Sequence, residues 1–206
     1  ADLSLAEVSR VLNLNMSTAL RLLSVLEHHH YVDRGGTSGS YSLGSRVIEL
    51  GLRAVSRLDL LQRARPLLDR LVRESGETAH LGVLRDGMVL SLANVESPRT
   101  LRTPATVGGC SPAHCTSIGK AILAFRPAGE VEEFVATHGL KRYTDLTITT
   151  LAAFQAELKR VRENGYGMDN EEYERGLRCV GAPVRDYTTK VIAAISVTGP
   201  AIRMTE

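Results

Sequence analysis

The chain has 206 residues, 43% hydrophobic and 23% charged, with a formal net charge of +2, the balance of a globular protein with one large or two modest domains. No apolar run approaches the ~18 residues that a membrane span needs, and no signal-peptide pattern opens the chain, so a cytoplasmic protein without a membrane partner is expected. Cys110, Cys115 and Cys179 are odd in number and lack a framework spacing, which argues against a disulfide scaffold. Over residues 1–60 six arginines are balanced by six acids, so a nucleic-acid reading must come from pattern and not from charge.

Ser4-Leu5-Ala6-Glu7 reads as a capping box for a short helix with Leu5, Val8, Val11 and Leu12 on one face, ending near Asn13. A second helix follows, capped by Asn15 or Ser17, with Ala19, Leu22, Leu23 and Leu26 as its apolar stripe. Together they form a helix-turn-helix. Two strand-like runs at 31–34 and 40–43 flank a Gly35–Gly39 tip, which puts a hairpin where a wing stands in a winged helix-turn-helix. Helical periodicity returns over 45–58 and again from Leu60 to Val72, where Pro66 allows a bend or a restart and Gly76 an end. Beyond residue 76 the pattern predicts strands at 78–84, 88–95, 177–185 and 191–197, with Asp86-Gly87 as a hairpin turn. Helices are predicted at 116–125, 130–138 and 151–164. Strand hairpins interrupted by a block of helices imply an α+β domain.

Several motifs carry chemistry. Ser17, Thr18 and Arg21 stand at the front of the second helix, where free amides and hydroxyls meet phosphate and an arginine reaches a phosphate or a guanine edge. Arg34 and the tip glycines fit either a backbone contact or a plain turn. His28-His29-His30 makes a poor metal site, because neighbouring side chains on a helix point ~100° apart. Cys110, His114 and Cys115 match no standard zinc spacing, and no orienting partner marks a Cys/His nucleophile. From Ser111 to Lys120, Pro112 precedes a helix of small residues begun by Thr116 or Ser117. That leaves the amides near Ser117 and Ile118 open to an anion, or else marks an ordinary buried helix start. Asp169-Asn170-Glu171-Glu172 is either a metal-binding acidic cluster or, more commonly for such a run, a solvated helix start.

Taken together, these segments resemble the IclR-type transcriptional regulators along nearly the whole chain. The likeness rests on Leu3-Ser4-Leu5-Ala6-Glu7-Val8, Ser17-Thr18-Ala19-Leu20-Arg21-Leu22-Leu23, Tyr41-Ser42-Leu43-Gly44 and Leu50-Gly51. It continues in the run from Pro112 to Ala121, in Asp169 to Asp186 with Gly176-Leu177-Arg178-Cys179 at its centre, and in Ala193 to Pro200. The resemblance implies a winged helix-turn-helix over 1–44 without its first helix, and a linker helix over 45–58. It also implies a GAF-like effector-binding domain over 59–206 without its closing helix. The implied function is ligand-responsive transcriptional regulation, more often repression than activation. The implied partners are promoter DNA and a small-molecule effector, a carboxylate, with the chain assembled as a homodimer or homotetramer. No catalytic residue, cofactor or metal is implied. DNA contacts carried over by position are Asn15, Met16, Ser17, Thr18, Leu20, Arg21, Arg34 and Tyr41. Effector contacts are Thr100, Thr103, Ser117, Ile118, Asp169, Leu177, Cys179, Ser196 and Thr198. The chain departs from the family at Asn15-Met16, where Pro followed by Lys or Arg is usual. Two rival functions follow from the residues, a DNA-silent sensor that only dimerises and an enzyme using His114 with Cys115 or Cys179.

Overall fold

In the computed structural model, which describes residues 2–35, 39–56, 59–103 and 106–205, the chain divides into two compact units, residues 1–59 and 60–206. The first unit begins with helix α1 (Leu5–Val11). Its capping box is formed, with the Ser4 hydroxyl accepting from the Glu7 amide and the Glu7 carboxylate accepting from the Ser4 amide. Asn13 takes a left-handed conformation, and the Ser9 hydroxyl donates to the Leu14 carbonyl at 2.6 Å, closing the turn. Helix α2 (Met16–His28) is capped by Asn15, whose Oδ1 accepts from the Thr18 amide at 2.8 Å and the Ser17 hydroxyl at 3.0 Å. Strands β1 (Val32–Arg34) and β2 (Tyr41–Leu43) pair antiparallel. The tip residues Gly36–Ser38 lie outside the described residues. Leu3, ahead of α1, exchanges two backbone hydrogen bonds with Tyr41 and so ties the wing to the start of the unit. Helix α3 (Ser45–Ser56) follows. Residues 57 and 58, the expected end of the linker helix, lie outside the described residues.

Helix α4 (Asp59–Ser75) runs through Pro66, which is exposed. The amide that proline lacks is therefore lost from the solvent side of the helix. The elements that follow are β3 (Thr78–Arg85), β4 (Met88–Val95), β5 (Cys110–Pro112), α5 (Ser117–Leu123), α6 (Ala128–His138), α7 (Leu151–Asn164), β6 (Gly167–Asn170), β7 (Leu177–Arg185) and β8 (Val191–Pro200). The strands form one antiparallel sheet in the order β5-β4-β3-β8-β7-β6.

The two edge strands, β5 and β6, were not expected from the sequence. Asp169 and Asn170 stand in β6, and no helix starts at the acidic run. The Asp169 carboxylate instead accepts the Glu172 and Tyr173 amides, Glu171 has a φ of 60°, and the chain turns back into β7. Those bonds satisfy the amides a helix start would have left open.

Alternation sorts the sheet into two faces. Ala79 and Leu81 of β3 and Ala193 of β8 pack against Ala64, Leu68 and Val72 of α4. The opposite face meets α5, whose seven residues are all buried, and a core of Phe154, Leu158 and Val161 from α7 with Val131 and Phe134 from α6.

Candidate functional site

A cavity of about 590 Å³ opens on the α5 face of the sheet. Its floor follows from strand register. Asp169, Cys179, Thr198 and Thr78 stand opposite one another across β6, β7, β8 and β3. The next facing row is Gly167, Gly181, Ser196 and His80. Since side chains alternate along each strand, both rows point the same way, and the polar members of one face are gathered from four distant segments.

The two glycines bring α5 down onto this floor. A Cβ on Gly181 would lie 3.0 Å from the Ser117 carbonyl carbon, and one on Gly167 would lie 3.1 Å from the Ser117 carbonyl oxygen. Thr116 caps α5 through a bond from the Gly119 amide, and the Lys120 amide reaches the Thr116 carbonyl. The amides of Ser117 and Ile118 therefore stand ahead of the helix's own ladder, at the cavity wall.

Burial sets the ionisation of the site. Asp169, 2% exposed, is pushed up to about 6 by desolvation, against the pull of its two amide donors and of Lys120. Burial likewise holds the His80 imidazole below its ordinary value, leaving it neutral at pH 7. The Cys179 thiol is raised by burial and by Asp169, and Cys115 is pushed up to about 12, again chiefly by burial. Because the thiolate is the nucleophile, neither sulfur is primed for attack. His114 Nε2 is bonded to the Lys141 carbonyl at 2.9 Å. Among the described residues, no three His, Cys, Asp or Glu side chains converge as a metal site requires.

Between α5, α7 and the turn after β6 lies a buried ion cluster. Lys120, fully buried, donates to Glu157 at 3.3 Å and to Glu172. Burial raises Glu172. Glu157 is also penalised by burial, yet Lys120 and Arg160 hold it below the carboxylate range. Lys120 thus stands between two carboxylates that would otherwise repel each other, with Arg160 as a second cation on Glu157.

Of the effector positions expected from the sequence, Thr103, Ser117, Ile118, Asp169, Leu177, Cys179, Ser196 and Thr198 all line this cavity, and Thr100 does not. His80, Ser91 and Glu174 also line it and were not anticipated, and Arg102, between the expected Thr100 and Thr103, lines it too. For His80 a signal existed, since Thr78 and His80 alternate with Ala79 and Leu81 in β3. In the first unit, Asn15, Met16, Ser17, Leu20, Arg21 and Arg34 are exposed and Thr18 is half-buried. Tyr41, also expected among the DNA contacts, is the exception. It is 6% exposed, with the Arg34 guanidinium 5.8 Å from its ring centroid. His28, His29 and His30 are all exposed.

Comparison with known proteins covers both units. Residues 1–36 match the IclR helix-turn-helix domain, and residues 52–206 match the family described as bacterial transcriptional regulator IclR C-terminal. The chain is 37% identical over 205 residues to the HTH-type transcriptional regulator KdgR of Escherichia coli, covering all of this chain and 78% of that protein. It is 34% identical to the HTH-type transcriptional repressor AllR of Klebsiella pneumoniae, covering 98% and 74%. Among solved structures it resembles an IclR homologue of Microbacterium hydrocarbonoxydans complexed with 4-hydroxybenzoate. That match is 28% identical with a TM-score of 0.86, covering 97% of this chain and 82% of the other.

Proposed function

Because the chain belongs to the IclR family of transcriptional regulators, we propose that it represses transcription from a promoter it binds through α2 and the wing, and that a small organic acid in the cavity beneath α5 controls this binding. The observation that carries the ligand half is the cavity itself. Two helix-start amides, Ser117 and Ile118, face a floor of Asp169, Cys179, Ser196 and Thr198. The amides take the carboxylate, and the floor takes a hydroxyl or carbonyl at the other end of the molecule. Asp169 is placed to meet a hydroxyl, since a second carboxylate against it is repelled. Two relatives support the reading, one complexed with 4-hydroxybenzoate and one called a repressor.

The DNA half rests on the exposed front of α2. Asn15, Met16, Ser17, Thr18 and Leu20 meet the backbone or groove, Arg21 a phosphate or guanine edge, and Arg34 of the wing the adjacent backbone. The working unit is a homodimer or homotetramer. Effector binding shifts the population of two arrangements of the assembly by binding them unequally.

A thermal-shift screen of small carboxylic acids, followed by mobility shift on the cognate promoter, tests both halves. An acid that stabilises the protein should change its promoter affinity, and Arg21→Ala should abolish promoter binding with acid binding intact. Promoter affinity indifferent to every stabilising acid overturns the coupling, and normal promoter binding by Arg21→Ala overturns the assigned DNA face.

A further inference from the structure

We infer that Glu77 is a positioning residue for the cavity: with Arg99 and Arg203 it fixes the 97–103 wall and knots that wall to the last turn of α4. The inference rests on reading the cavity as the effector site. Glu77 is only 3% exposed. Its carboxylate accepts from Arg203 through Nε at 2.5 Å and Nη2 at 2.8 Å, and from Arg99 Nη1 at 2.9 Å. Arg203 stands 126 residues away in sequence, just beyond β8, and Nη2 also donates to the Leu101 carbonyl at 2.9 Å. One acid thus holds a guanidinium from within the wall and another that grips the wall's backbone. A two-pronged contact of this kind has a defined geometry as well as charge.

The same segment is tied to α4 by a second set of bonds. The Ser97 hydroxyl donates to the Gly76 carbonyl at 2.6 Å and accepts from the Arg99 amide at 3.2 Å. The Ser75 hydroxyl donates to Leu71 in the last turn of α4 and accepts from the Glu77 amide. Thr78, on the floor row with Asp169, donates to the Thr103 carbonyl at 3.3 Å and accepts from the Ser97 amide at 3.2 Å. Glycine makes room on both sides of the clamp. A Cβ at Gly199 would lie 2.8 Å from the Glu77 carboxyl carbon, and one at Gly76, where φ is +73°, 2.7 Å from Arg99 Nη2. The Arg203 bond holds Glu77 below the usual carboxylate range, so it stays charged through the neutral region.

Arg102 and Thr103 line the cavity at the far end of this segment. A molecule that moves them pulls on bonds whose other ends are Glu77 and Gly76. Occupancy is thereby felt at the end of α4, through a continuous chain of contacts.

Hydrogen exchange on the full chain tests this without any effector, so an acid screen that finds nothing leaves it standing or falling separately. In Glu77→Gln, amides of 97–103 and of 72–77 should both exchange faster by about tenfold, the loss of one charge-assisted bond, while central β7 and β8 are unchanged. Ser97→Ala, on the wall, should speed exchange at 72–76, and Arg203→Lys, which keeps the charge but not the fork, should fall between. Should Glu77→Gln fail to fold, Arg99→Leu carries the same test with the Arg203 pair intact. Faster exchange confined to 97–103, or spread evenly over the unit as for a plain stabilising ion pair, overturns the inference.

Discussion

Asp169 of β6 faces Cys179 of β7 across the ladder, and the Cys179 thiol donates to Asp169 Oδ2 at 3.8 Å. The other oxygen is taken by the Glu172 and Tyr173 amides. With so little to solvate the charge, the carboxyl is pushed up to about 6 from an ordinary 3.8. Between those values the folded protein holds a proton that the unfolded chain has released, so this group's contribution to stability falls as pH rises through the window and is level above it. Asp169→Asn should therefore match wild type near pH 4 and exceed it by about 1–3 kcal/mol at pH 7.5. Urea unfolding at the two pH values checks this, and identical pH slopes for the two proteins would refute it.

Gly181→Ala tests the seat of α5. The added methyl meets backbone of Ser117, which cannot swing aside as a side chain can. The expected cost is about 1–3 kcal/mol of stability, with acid binding weakened at least tenfold as the Ser117 and Ile118 amides lift off the floor. Titration calorimetry with an acid taken from the screen reads the second effect. Unchanged affinity would separate those amides from recognition.

Lys120→Met leaves Glu157 and Glu172 buried without their shared cation. Breaking such a cluster costs about 3–5 kcal/mol. The loss should be smaller at pH 5 than at pH 7.5, because burial already raises Glu172 and protonation relieves the repulsion. Chemical denaturation at both pH values measures it.

The three thiols should differ sharply in reactivity. Cys110 is exposed, whereas Cys115 is buried and Cys179 half-buried on the cavity floor, with both raised by desolvation. A brief treatment with iodoacetamide at pH 7.5, read by intact mass, should add one label to the native chain and three after unfolding. Rapid labelling at Cys179 would show an open floor.

The first unit was legible because its signals are local. Ser4 and Glu7 meet across one helical turn, and Asn15 caps its own helix. Strands β3, β4, β7 and β8 were legible from eight or more residues of alternation or continuous apolar character. Strands β5 and β6 have three and four residues, too few for a period to register, and the acids at 169–172 mimic a helix start. Most cavity positions were reached by likeness to a family and not by spacing, since Asp169 and Thr198 share a row only through register, with Cys179 between them. Lys120 was the least legible. A lysine beside a glycine suggests a surface or a phosphate, and its burial depends on acids 37 and 52 residues away.

The floor of the cavity is assembled from strand positions whose backbone bonds are indifferent to the side chains they carry. On the effector reading proposed above, exchanging Ser196, Thr198 or Cys179 for residues of similar bulk would alter what the cavity recognises while the ladder bonds stay in place. On that reading, preference for one metabolite over another would drift by single codon changes, while the scaffold around the cavity is inherited intact.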